Sequence, residues 1–159
     1  MPGDGLISDP TEMSMQAVTV DAPPENIWPW LVQIGYQRGG MYSYDWLDRL
    51  FGFLDRPSAS RILPEFQQLA VGEKVPWGRT GTELTVGVLE PLRALALSYE
   101  AGGFAWVWQF ALYPLSDERT RLVTRGTERV PETWAWWLGM RVMEPAAFIM
   151  TRRMLLNLK

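Results

Sequence analysis

Phe104-Ala105-Trp106-Val107-Trp108-Gln109-Phe110-Ala111-Leu112 alternates large apolar residues with small or polar ones. In an extended chain, Phe104, Trp106, Trp108, Phe110 and Leu112 share one face, and Ala105, Val107, Gln109 and Ala111 share the other. Five large side chains without a break describe a strand with one face turned inward. The same period of two extends in both directions. Strands are expected near 73–77, 82–89, 93–100, 104–114 and 119–129, separated by short Gly, Pro, Ser and Asp punctuation. Such short connections imply an antiparallel meander.

On the N-terminal side the pattern changes. Met15 to Val20 alternates as a further strand. Asp21-Ala22-Pro23-Pro24-Glu25 then opens a helix, since proline suits the first turn and Glu25 suits its positive end. This helix is expected to run to about Ile34, bent at Pro29 and stopped by Gly35. After Gly39-Gly40, Ser43 can cap a second short helix through about Phe51, with Asp45 in its first turn. Residues 52–70, with Pro57 and Pro64, form a long connection of the kind that often carries function. Residues 1–13, rich in Gly, Pro and Asp, read as a flexible lead. Residues 14–159 read as a single domain.

On the C-terminal side, Trp136, Met140, Met143, Ala147, Met150, Met154 and Leu158 recur at spacings of three and four. They describe a long helix with one apolar stripe, in which Pro145 starts the final segment or kinks it. The expected class is therefore α+β. A curved antiparallel sheet of six to seven strands wraps a long C-terminal helix, with two short helices after the first strand.

Composition narrows the chemistry. The chain has 159 residues, nine tryptophans, no cysteine and no histidine, and a net charge of −3. Thiolate catalysis, disulfides, serine–histidine triads and His- or Cys-ligated metals are thereby excluded. Acid–base work would fall to Asp, Glu, Tyr, Lys or Arg. No basic footprint suggests nucleic acid. The apolar stretch 134–150 is interrupted by Arg141, Glu144 and Pro145, so no stable membrane insertion is expected. The polar start at residues 1–9 does not read as a signal peptide, and the expected location is cytoplasmic.

The sequence resembles the START-like helix-grip superfamily, also called SRPBCC, and within it the polyketide cyclase/dehydratase-like bacterial members. The carrying residues are Val18-Thr19-Val20-Asp21-Ala22-Pro23-Pro24-Glu25-Asn26-Ile27-Trp28-Pro29-Trp30-Leu31-Val32-Gln33 and Gly39-Gly40-Met41-Tyr42-Ser43-Tyr44-Asp45-Trp46-Leu47. Shorter matches include Leu89-Glu90-Pro91, Trp108-Gln109-Phe110 and Met150-Thr151-Arg152-Arg153-Met154-Leu155. The resemblance implies a deep apolar cavity, of about 300–1,000 Å³ for a small ligand, between sheet and C-terminal helix. It supplies no universal catalytic residue and no cofactor.

Tyr42, Tyr44 and Asp45 are the candidate reacting groups. A phenol would hydrogen-bond a ligand carbonyl and a carboxylate would accept a proton, whereas the plainer alternative is packing and a helix start. Trp28, Trp46, Trp106, Trp108, Phe110, Arg125, Met143 and Ala147 are the candidate ligand-binding residues. No metal site and no cofactor are expected. The leading reading is a protein that binds a small hydrophobic molecule, such as a polyketide, a terpenoid or a lipid-like compound. The alternatives are a cofactor-free cyclase or dehydratase acting on such a ligand, and a chaperone-activator-like interaction protein.

Overall fold

The computed structural model describes residues 1–131 and 134–158, with side chains at all of these except 134–140, 142 and 143. Six strands form one antiparallel sheet: β1 (Glu12–Val20), β2 (Lys74–Pro76), β3 (Glu83–Glu90), β4 (Ala94–Ala101), β5 (Phe104–Ser116) and β6 (Arg119–Arg129). Their spatial order is β1-β6-β5-β4-β3-β2. Only β1 leaves sequence order, crossing over to pair with β6 from Glu12↔Glu128 to Val20↔Thr120. The helices that bridge this crossover are α1 (Pro24–Val32) and α2 (Asp45–Phe51), and α3 (Trp134–Asn157) closes the chain.

The strands lie within two or three residues of their expected places, with β1 starting earlier, at Glu12. Bulges between Val86 and Val88 and between Pro114 and Ser116 break the register. Each extra residue bends its strand and helps the sheet curl. On the inner face, Trp106, Trp108, Phe110 and Leu112 join Leu31, Ile34, Leu95, Leu97, Leu122, Met154 and Leu155 in one core. Trp77, just after β2, is partly buried and packs against it. Its ring lies 4.9 Å from Trp106, 5.1 Å from Trp108 and 5.4 Å from Phe53.

Of the two readings of Pro145, the one within a longer helix holds, since it lies inside α3. Two other local expectations change. Along the apolar stripe of α3, Ala147 is exposed, Met150 and Leu158 are half-buried, and Met154 is buried in the core beside Leu155. The expected cap at Ser43 is absent: Tyr44 holds the N-cap position of α2, with no side-chain cap bond. The Ser43 hydroxyl instead donates to Asp48 Oδ2 at 2.7 Å.

The lead makes specific contacts with the sheet. It folds back over the outer face of the sheet, where Ile7 is 8% exposed and meets Ala96, Ala105 and Val107. Asp4 pairs with Arg125 and accepts a bond from Gln109 Nε2 at 3.2 Å, while Arg125 Nε donates to Gln109 Oε1 at 2.7 Å. The outer face of β5 therefore has a small second core, because Ala105, Val107 and Ala111 are apolar on the side that a plain two-faced sheet would leave polar.

Candidate functional site

The candidate site starts from Gln33 at the end of α1. Its side chain is wholly buried and makes four bonds. Nε2 donates to the Tyr42 hydroxyl at 2.7 Å and to the Arg61 carbonyl at 3.2 Å. Oε1 accepts from the Leu63 amide at 2.8 Å and from Gln67 Nε2 at 3.2 Å. One amide thus ties α1 to the Tyr42 segment and to the long connection. A buried amide of this kind must be satisfied on both ends, which fixes the geometry around it.

Between Gln33 and Tyr42 the chain reverses through Gly35 and Gly40, whose backbones exchange two hydrogen bonds of 3.1 Å. Gly39 cannot carry a side chain here: a Cβ would lie 2.3 Å from the Tyr42 hydroxyl and 2.9 Å from the Gln33 carbonyl. Tyr42 itself has a φ of 56°, a left-handed conformation that is costly for a bulky residue. It is held there at every polar group. Its amide donates to Ser58 Oγ at 3.3 Å, its carbonyl accepts from Asn157 Nδ2 at 2.7 Å, and its hydroxyl accepts from Gln33. Burial pushes the phenol up to about 12, although the Gln33 bond and the nearby Arg38 charge oppose the rise. Tyr42 is thus a protonated phenol at neutral pH.

These constraints place Tyr42 in the wall of a groove of about 600 Å³. Val20 and Ala22 from the end of β1, Asn26, Ile27 and Trp30 from α1, and Leu158 at the end of α3 form one part, and Asn157 of α3 bonds to the Tyr42 carbonyl across from them. Tyr42, Ser43 and Asp45, with Ser58, Ala59 and Ser60 of the long connection, form the other. Trp30 meets Tyr42 edge to face, 5.8 Å between ring centres. Asp45 accepts from the Ser58 hydroxyl at 2.8 Å and more weakly from its amide.

Behind Ser43 lies a second carboxyl group. Asp48 has no solvent exposure, one oxygen bonded to Ser43 and the other, Oδ1, without a partner. Burial raises it from 3.8 to about 6; the Ser43 bond opposes this and the Asp45 charge adds to it. A group of that kind can hold or release a proton near neutrality.

Of the residues singled out from sequence, the groove brings together Tyr42 and Asp45. Tyr44 is half-buried beside it, with Arg153 over its ring at 5.4 Å. Trp28 is half-buried against the core, and Trp46 is 66% exposed. Trp106, Trp108 and Phe110 form the aromatic layer under Trp77. Arg125 is on the opposite face of the sheet, beneath Asp4. Ala147 is exposed on α3, and the Met143 side chain falls outside the described residues. Sequence reasoning missed Gln33, Ser43, Asp48, Ser58 and Asn157 as site residues. Gln33 carried the one available signal, a polar amide closing an otherwise apolar helix. Among the described residues, no group of three or more Asp or Glu side chains is placed to hold a metal ion. Nor is any helix among them long and apolar enough to cross a membrane.

No family model and no curated protein matches the chain. Solved structures do match it. A protein from Chromobacterium violaceum is 12% identical with a TM-score of 0.54, over 92% of this chain and 94% of that one. A protein from Nitrosospira multiformis is 14% identical with a TM-score of 0.54, over 93% and 97%. The Zhui aromatase/cyclase from a Streptomyces species is 17% identical with a TM-score of 0.52, over 92% and 90%. At such identities the likeness is one of fold, and it spans nearly the whole of each chain.

Proposed function

We propose, from the START-like helix-grip fold that this chain has, that it binds one small amphipathic molecule in the groove between α1, the Tyr42–Asp45 segment and the end of α3. The observation that carries this reading is the groove itself. Its volume of about 600 Å³ suits a small ligand. Val20, Ile27, Trp30 and Leu158 offer an apolar wall, and Ser43, Asp45, Ser58 and Asn157 offer a polar one. The ligand keeps the apolar body expected from the sequence but also needs a polar end, since a purely apolar guest would strip water from Asp45 and return nothing.

The test is native mass spectrometry of the protein purified from its own source, beside Ala22→Trp. Ala22 is a half-buried part of the groove wall, so an indole there occupies ligand space. The expected result is an added small-molecule mass on the wild type that is lost from the variant. Equal retention by both proteins would overturn the placement.

A second reading, a cofactor-free cyclase or dehydratase, is favoured by one observation. Asp45 faces the groove while Asp48, raised to about 6, stands behind Ser43. A carboxyl group open to the groove and a buried one raised toward neutrality can divide base and acid roles. Asp45 would accept a proton from the bound molecule, and Asp48 would supply one through the Ser43 hydroxyl. Turnover of the retained ligand that survives in both Asp45→Asn and Asp48→Asn would exclude it.

A further inference from the structure

The polar wall of the groove has already spent its donors. The Ser43 hydroxyl donates to Asp48, so what remains on Ser43 Oγ for a ligand is lone pairs. The Ser58 hydroxyl donates to Asp45 Oδ1, which likewise leaves Ser58 as an acceptor. The Asn157 amide nitrogen donates to the Tyr42 carbonyl at 2.7 Å and weakly to the Ser43 carbonyl at 3.5 Å, and its oxygen is not engaged by those bonds. Asp45, a carboxylate side chain, offers acceptor oxygens and already receives the Ser58 hydroxyl. The Tyr42 phenol oxygen is turned away, toward Gln33 and Gly39. Among the described residues, no Lys or Arg lines the groove to neutralise Asp45. Arg153, the cation stacked on Tyr44, is exposed and does not line it.

We infer that the groove selects a ligand whose polar end is a cationic hydrogen-bond donor, an alkyl- or arylammonium group, with the apolar body laid against Trp30, Ile27 and Leu158. This rests on the ligand-binding reading and names its ligand class. An ammonium has three donors and no acceptor, which matches a wall of acceptors. Its charge answers Asp45. A hydroxyl head would bring lone pairs as well as a donor. A carboxylate would face Asp45 and the Ser43 and Ser58 lone pairs with no donor to receive it, an arrangement that costs binding. Asn26 and Ser60, exposed at the rim, keep donors and acceptors and do not discriminate.

The test is isothermal titration calorimetry at pH 7.5 with three probes of equal chain length, decylammonium and decanoate below their micelle concentrations and decanol below its solubility limit. Decylammonium is expected to bind about tenfold or more tighter than decanol, as a charge-assisted bond requires, with decanoate weakest. In Asp45→Asn, whose fold is checked by circular dichroism and thermal melting, the ratio of decylammonium to decanol affinity should fall toward one. Decanoate equalling decylammonium, or an ammonium preference that survives in Asp45→Asn, would overturn the inference and leave the groove as a binding site. If none of the three probes binds, the ligand-binding reading fails and this inference falls with it.

Discussion

Asp48 shows how much a single side chain can differ from its appearance in a sequence. At 45 and 48, two aspartates in the first turn of α2 look like ordinary complements to the helix dipole. Tertiary burial separates them: Asp45 stays in the groove wall and Asp48 is sealed beneath it with an unpartnered oxygen. The consequence for stability has a definite sign. The folded-state value is raised from 3.8 to about 6, so folding favours the protonated acid. The contribution of Asp48 is therefore fully present below about pH 4 and is lost as pH rises through 6. Asp48→Asn removes this titration. Measured by urea denaturation, its stability relative to the wild type should increase by about 1–2 kcal/mol between pH 4 and pH 7, after allowing for screening. A difference that stays flat across that range would show that Asp48 titrates as an ordinary surface acid.

At the scale of elements, the pairing of β1 with β6 carries a cost as well as a fold. The register sets Glu12 directly opposite Glu128. Burial raises Glu128 from 4.5 to about 6, and the charges of Glu12 and of Glu144 on α3 add to the rise. Like charges across a ladder destabilise it. Glu12→Gln should stabilise the protein at pH 8 by about 0.5 kcal/mol. The gain should fade toward pH 4, because a raised folded-state value means that Glu128 costs stability only once pH climbs through 6. Thermal melts of both proteins at the two pH values check this. An equal gain at both would assign the effect to strand propensity and not to charge. The sheet tolerates the clash because the rest of this long ladder, down to Val20↔Thr120, is uninterrupted.

For the whole molecule, the sheet has two covered faces where its pattern advertised one. The inner face meets α1 and the end of α3, and the outer face is strapped by residues 3–7. Gly3 and Gly87 allow the strap to lie close: a Cβ on Gly3 would come within 2.8 Å of Gln109, and one on Gly87 within 2.6 Å of Leu6. Ile7→Ala should cost about 2 kcal/mol, at the lower end for a buried isoleucine because the site is near the surface. Urea denaturation measures it. A loss close to zero would mean that the lead contributes nothing to the folded state.

Much of the fold was legible because it is written in local periodicity. The alternation from Phe104 to Leu112 placed a strand within a few residues of its ends, and Pro23-Pro24-Glu25 opened a helix where α1 begins. Backbone geometry enforces such patterns one residue at a time, so no knowledge of the rest of the chain is needed. The inward face of Trp106, Trp108 and Phe110 was legible for the same reason. What the alternation did not contain is the depth at which each ring lies. Trp77 packs against Trp106 and Trp108, a contact between residues about thirty apart in the chain, and leaves Trp106 partly buried while Trp108 and Phe110 are buried. The site was legible only as a segment. Tyr42 and Asp45 stood out by type, but the Gln33 hub, the Ser43–Asp48 bond and the Asn157 tie each join residues that only folding brings together. Sequence alone thus determined which chemistry is excluded, through the missing histidine and cysteine, and which elements form. Tertiary structure decided which carboxylate is buried, which hydroxyl has given its proton away and where the groove opens, because burial and hydrogen-bond direction are properties of neighbours in space.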